Sequence, residues 1–313
     1  MDACSNNDGD VELLRAHEAA GLALVRSDRD GSTKWISWPS TPPKNRRHDP
    51  SITLKKEDFA HSNAHFQVVA SADGHPPQNV LILLHGRGDN EEPFAKLGAQ
   101  MALPQTAVIS LRAPAELPFS MGNTWYEDLD EEFEVISPHE VHAKRSHSLN
   151  AAGQFLWSFM QTLHAQYGWK YERMFLFGFS QGACVAYHVL MALVPPHTRL
   201  GGVILIAGGY VAGPHSAAYA QPPLSDAETS VLAICGSSDL VYPAPMSSQT
   251  ELQFTQRYRK ARALFTKFVV RSKGHDMVRT QDEMLQVMKF FSSTLFLKNI
   301  ELERRSDIIE IIQ

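Results

Sequence analysis

From about residue 66 onward, short apolar runs alternate with longer segments whose apolar residues recur every three or four positions. The runs are Phe66–Ala70, Val80–Leu84, Thr106–Leu111, Met174–Gly178, Gly202–Ala207, Val231–Cys235 and Phe265–Val270. Several, Val80–Leu84 and Gly202–Ile206 among them, are almost wholly apolar, the pattern of strands buried on both faces of a parallel sheet. Between them lie the helical stripes. Leu149, Ala152, Leu156, Phe159, Met160, Leu163 and Tyr167 mark one helix, with Gly168 as its stop. Gln181 to Leu193 is a second, ended by Pro195 and Pro196. Phe254, Tyr258, Ala261 and Phe265 suggest a third. Thr280–Glu283 is a capping box that opens a fourth, with Met284, Val287, Met288, Phe291 and Leu295 as its buried stripe. Strand-then-helix alternation predicts a doubly wound α/β domain over 65–297. No internal repeat is visible.

Residues 1–64 read differently. Trp38–Arg47 is rich in proline and basic residues, and no apolar spacing repeats, so this stretch is expected to be an extension, partly disordered or draped over the domain. Residues 298–313 form a tail in which Glu301–Gln313 is weakly amphipathic. The 313 residues carry 29 basic and 34 acidic side chains, a net charge of −5, which argues against a nucleic-acid binder. Three cysteines are too few for a disulfide framework and fit a reducing compartment. No apolar stretch is long enough to span a membrane, and the N-terminus lacks the apolar core of a secretory signal. The expected location is the cytoplasm. Arg46–Arg47 and Lys55–Lys56 are too short to read as a nuclear signal, although nuclear access stays open.

The strongest chemical signal is Gly178-Phe179-Ser180-Gln181-Gly182, between a strand-like run and a helix-like run. A serine on so sharp a strand-to-helix turn needs small residues two positions to either side. The N–H of Gln181 then faces a substrate oxygen beside the helix N-terminus. A serine needs a base, and the base needs an orienting carboxylate. In this architecture both follow later strands, in the order serine, acid, histidine. Asp239 lies just past Val231–Cys235, and His275 just past Phe265–Val270. Asp276 adjoins the histidine and cannot easily swing back to orient it, so Asp239 is the better acid. A second oxyanion donor is expected after an early strand, where His85-Gly86-Arg87-Gly88 turns tightly; the N–H of Arg87 is the candidate. His85 itself reads as a structural histidine that holds this turn.

Leu84–Asp89, Gly178–Gly182, Cys235–Pro243 and Gly274-His275 together resemble the acyl-protein thioesterase / lysophospholipase family of α/β hydrolases, also called the phospholipase/carboxylesterase family. The resemblance covers about residues 65–297. It implies an α/β-hydrolase fold, with a mostly parallel sheet, helices on both faces and no large cap domain. It also implies Ser180 as nucleophile, Asp239 as acid, His275 as base, and the N–H groups of Arg87 and Gln181 as the oxyanion hole. Asn123–Tyr126 resembles the family's tryptophan-aromatic segment, which makes Trp125 a substrate-binding candidate. Two residues depart from the pattern: Arg87 replaces an apolar residue, and Ala183 replaces a common glycine.

These readings converge on a serine esterase or thioesterase that needs neither metal nor organic cofactor. Its substrate is a small acyl ester or an acylated protein; the oligomeric state is not legible. The rivals are a lysophospholipase acting on oxygen esters and a catalytically idle hydrolase scaffold used for binding. The scattered histidines His61, His65, His139, His142 and His147 lack carboxylate or cysteine partners at ligand spacing and read as solvated. The acidic run Glu127–Glu132 reads as a solvated loop, and Cys184 and Cys235 as buried packing residues. Gly208–Ser230, rich in glycine, alanine and proline, is too short for a helical lid.

Overall fold

The computed structural model describes residues 53–219 and 225–299, together with the backbone of three strands that precede them. The chain forms two compact units, one comprising 1–48 with 298–313 and the other 49–297. In the first, β1 (Val11–His17), β2 (Leu22–Ser27) and β3 (Thr33–Ser37) pair antiparallel in the order β1-β2-β3. This corrects the expectation of an extension without regular pattern. The register slips between Leu13 and Arg15, so the bulged Leu14 interrupts the two-residue alternation that would have revealed the strand. Cys4, Arg46–Arg47 and Glu301–Gln313 lie outside the described residues.

The second unit begins with a 3-10 helix, Lys56–Ser62, whose Phe59 is fully buried against Phe159; the unit thus starts upstream of residue 65. Next come β4 (Phe66–Val69), β5 (Asn79–Leu84), α1 (Glu91–Met101) and β6 (Thr106–Leu111). A small hairpin, β7 (Ala115–Glu116) with β8 (Asn123–Thr124), leads into α2 (Ala143–Tyr167). The order continues with β9 (Met174–Phe179), α3 (Gln181–His188), β10 (Gly202–Ile206), β11 (Val231–Gly236), α4 (Ala244–Arg257), α5 (Ala261–Leu264), β12 (Phe265–Val270) and α6 (Gln281–Thr294). All seven predicted strands form. The second predicted helix changes after His188 into a π turn, Val189–Leu193, and the third breaks between α4 and α5.

The seven-stranded sheet runs β12-β11-β10-β9-β5-β6-β4, parallel throughout except for the edge strand β4, which pairs antiparallel with β6. Alternate residues of each strand enter opposite cores, as the pleat requires. Val80, Ile82 and Leu84 pack with α2, α3 and α4. Leu81 and Leu83 pack with Phe94 and Met101 of α1 and with Val287, Phe290 and Phe291 of α6. The helix after β5 therefore covers one face and the helix after β9 the other. Adjacent parallel strands whose helices diverge in this way leave a crevice at their C-terminal ends, where such sheets bind ligands. Between Ile206 and Val231 the described residues carry only a 3-10 turn, Pro214–Ala218, and no lid helix.

Candidate functional site

The crevice holds the predicted elbow. Ser180 follows β9 with φ 51° and ψ −117°, a left-handed conformation that costs an L-residue roughly 1–3 kcal/mol. Its surroundings leave no room for larger neighbours. A Cβ at Gly178 would sit 2.4 Å from the Ala183 nitrogen, and one at Gly182 would sit 2.3 Å from the Leu84 carbonyl oxygen. The second contact brings α3 against the end of β5. Ala183, fully buried, fits without strain in that packing.

Three side chains from three strand ends meet here. His275 Nε2 lies 2.8 Å from Ser180 Oγ. Its Nδ1 lies 2.9 Å from Asp239 Oδ2 and 3.1 Å from Oδ1. Asp239 is 3% exposed, and its Oδ1 accepts the backbone N–H groups of Val241 and Tyr242 at 2.9 and 2.7 Å. These bonds fix the carboxylate toward the imidazole. Asp276 instead faces Arg279 at 2.8 Å, turned to the surface as its position suggested.

The turn after β5 stands beside the serine. His85 is fully buried, its Nε2 accepts from the Ala113 N–H at 3.0 Å, and its Nδ1–H therefore donates to the Gly86 carbonyl at 2.7 Å. Burial pushes its pKa down, so the ring stays neutral and holds the turn. Gly88 N–H donates to the Asn123 carbonyl at 2.8 Å, tying the same turn to β8. Gln181 is 2% exposed. Its side-chain oxygen accepts from Thr124 Oγ1 and the Trp125 N–H at 2.9 and 3.0 Å, and its amide donates to the Tyr126 carbonyl at 3.0 Å. As the first residue of α3, Gln181 has a backbone N–H without an intrahelical partner.

Trp125 is 2% exposed, and its indole N–H donates to the His85 carbonyl at 2.8 Å, so it braces the turn from behind. Its neighbour Tyr126 reaches the cavity beside Ser180. The Arg87 side chain, which replaces an apolar residue of the family pattern, pairs with Asp128, its Nη1 2.9 Å from Asp128 Oδ1. Asp128 is thus an ion-paired wall residue of that cavity, not part of a solvated loop. Sequence reading also missed Arg145, which is 1% exposed and lines the cavity. Its one signal was a charge set among the apolar positions of α2. No group of three or more metal-ligating side chains occurs among the described residues, and none of their helices is long and apolar enough to cross a membrane.

The family model described as Phospholipase/Carboxylesterase matches residues 63–295. An uncharacterized hydrolase of Mycosarcoma maydis is 29% identical over 238 residues, which cover 74% of this chain and 82% of that protein. Among solved structures, the Bacillus cereus carboxylesterase superposes with a TM-score of 0.56 at 18% identity, covering 76% of this chain and 100% of its own. Zea mays acyl-protein thioesterase 2 gives 0.53 at 18% identity, over 74% and 99%. At these identities the structural likeness establishes the fold.

Proposed function

Because the chain belongs to the phospholipase/carboxylesterase family of α/β hydrolases, we propose that it is a serine hydrolase cleaving acyl esters or thioesters, with Ser180, His275 and Asp239 as its catalytic triad. The observation that carries this reading is the continuous hydrogen-bonded line from Asp239 through His275 to Ser180 Oγ.

Ser180 Oγ attacks the acyl carbonyl while His275 Nε2 takes its proton. Asp239 holds the Nδ1–H tautomer and stabilises the imidazolium. The negative charge that develops on the carbonyl oxygen falls to the N–H groups of Gln181 and Arg87, which are fixed before the reaction and need no reorganisation. The alcohol or thiol leaves with the proton from His275, and an acyl-serine remains. Water, deprotonated by the same imidazole, attacks that ester; the acid departs and Ser180 regains its proton. The atoms balance without metal or organic cofactor.

Replacing Ser180 with alanine is expected to abolish covalent labelling by a fluorophosphonate and to remove turnover of acyl esters, with the circular dichroism spectrum unchanged. Asp239→Asn is expected to lower kcat by roughly 10⁴-fold through the wrong tautomer. A Ser180→Ala protein that still labels would place the nucleophile elsewhere.

A further inference from the structure

We infer that the site takes short acyl groups, of about two or three carbons, and that Arg145 sets this limit. The inference rests on Ser180 being the nucleophile. A cavity of about 30 Å3 opens beside Ser180 and His275, walled by Tyr126, Ile136, Arg145, Ala207 and Val211 among others. An apolar cavity of about 150 Å3 accommodates the six carbons of benzene, so about 30 Å3 accommodates one or two carbons beyond the carbonyl. A fatty acyl chain exceeds this volume.

The part of the wall formed by Tyr126, Arg145, Ala207 and Val211 is built not to yield. Tyr126 is 5% exposed and Ala207 and Val211 are 1% and 2% exposed, so none has open space to swing into. Arg145 then fastens two separate stretches of chain together. Its Nη1 donates to the carbonyls of Ile136 and Ser137 at 2.9 and 2.8 Å, while its Nη2 reaches those of Glu140 and Ala212, the latter at 3.3 Å. The Ala212 N–H also donates to the Pro138 carbonyl at 2.9 Å. The wall residues Ile136 and Val211 sit on these two stretches. A planar guanidinium satisfies several carbonyls at fixed angles, which an ammonium on a flexible stem cannot do. Arg145 is therefore a positioning residue for specificity. It touches no reacting atom, and it holds the pocket shallow. Deepening the pocket would require breaking charge-assisted hydrogen bonds inside the protein, a cost the binding of a few methylenes does not offset.

The test measures kcat/KM on p-nitrophenyl acetate, butyrate, octanoate and dodecanoate, each below its micellar threshold, with fluorophosphonate labelling run in parallel. The wild-type protein is expected to favour acetate, to fall at butyrate and to fall further, by roughly tenfold or more, at octanoate, the scale on which pockets discriminate methylene groups. Val211→Ala and Arg145→Lys are each expected to raise the octanoate-to-butyrate ratio by roughly tenfold. General damage to the fold lowers all four rates together and leaves that ratio fixed. A wild-type preference for octanoate or dodecanoate would overturn the inference while labelling stays intact. A short-chain preference that neither variant shifts would overturn the assignment of the wall. Absence of both labelling and turnover would instead overturn the serine reading, and the inference with it.

Discussion

Lowering the pH from 7 to 5 is expected to remove about 2 kcal/mol of folding stability through one side chain, His188. This residue closes α3 and is 1% exposed. Its Nδ1 lies 2.9 Å from the Tyr219 hydroxyl and its Nε2 lies 3.3 Å from Asn150 Oδ1. The His215 ring meets it edge-on with centroids 5.3 Å apart. Burial, with the neighbouring His215, pushes His188 from its ordinary 6.5 to about 3. Burial likewise takes His215 to about 4. The folded protein therefore refuses a proton that the unfolded chain accepts. With the folded value below the unfolded one, stability is whole above pH 6.5 and declines as the pH falls toward 3. At pH 5, ~1.5 units below the unfolded value and at about 1.36 kcal/mol per unit, the loss through His188 is about 2 kcal/mol. A typical domain has only about 5–15 kcal/mol in total. Urea denaturation at pH 7, 6 and 5 reads this directly when wild type is compared with His188→Gln. The wild type is expected to lose about 2 kcal/mol more than the variant over that span. Glu91 and Glu283, held low by their partners Arg112 and Lys273 against their own burial, lose their contribution as the pH drops below their ordinary 4.5, outside this window. His85 contributes equally to both proteins. Identical pH dependence of the two would refute the reasoning.

The loop that carries His275 is anchored by a buried ion pair, Lys273 Nζ to Glu283 Oε2 at 2.7 Å, with the two side chains 6% and 2% exposed. Glu283→Gln is expected to cost about 3 kcal/mol in urea denaturation, because it strands a buried ammonium. Asp226→Asn, which breaks the exposed pair with His197, is expected to change the midpoint little. Gly182→Ala is expected to yield protein that fluorophosphonate does not label, since the new methyl meets the Leu84 carbonyl. Gly274→Ala, beside His275 but with nothing within 4 Å of its Cβ, is expected to label like wild type. With no lid helix among the described residues, rates on a series of butyrate esters are expected to rise smoothly through the micellar threshold; a jump there would reveal a cap that opens at interfaces.

The strands were legible because each is buried on both faces, which leaves little but β-branched and other apolar residues in Val80–Leu84 or Gly202–Ile206. The proposed triad was legible because each member sits just past such a strand, where chain order and local punctuation single it out. What escaped notice is where packing overrode pattern. The sequence of α1, Glu91–Met101, contains Pro93 and Gly98, which read as breakers. In the fold, Asn90 caps the helix through the Glu92 N–H, and Gly98 lies so near β6 that a Cβ would come within 2.5 Å of a Val108 methyl. The first half of α4 hid for another reason, since its buried face includes Ser247 and Thr250. Arg145 is the same failure at the site: a cation satisfied by carbonyls distant in sequence gives no local signal that it is interior. Trp125 lies behind the turn and Tyr126 faces the cavity, a choice that alternation along 123–126 does not decide.

The three strands that end at Ser180, Asp239 and His275 have a consequence for the order of events during synthesis. Ser180 and His275 are 95 residues apart in sequence, and His275 and Asp239 are 36 apart. A ribosome releases the elbow after β5 and before β10, the two neighbours of β9 in the sheet, and well before β12 exists to bring in His275. Contacts this distant close late, after the loop entropy between them has been met. The nascent chain thus passes through a long interval in which Ser180 is made but His275 is not yet beside it. On the proposed mechanism, hydrolytic activity arrives with the last strand of the sheet, and a fragment cut short before β12 is expected to be inert.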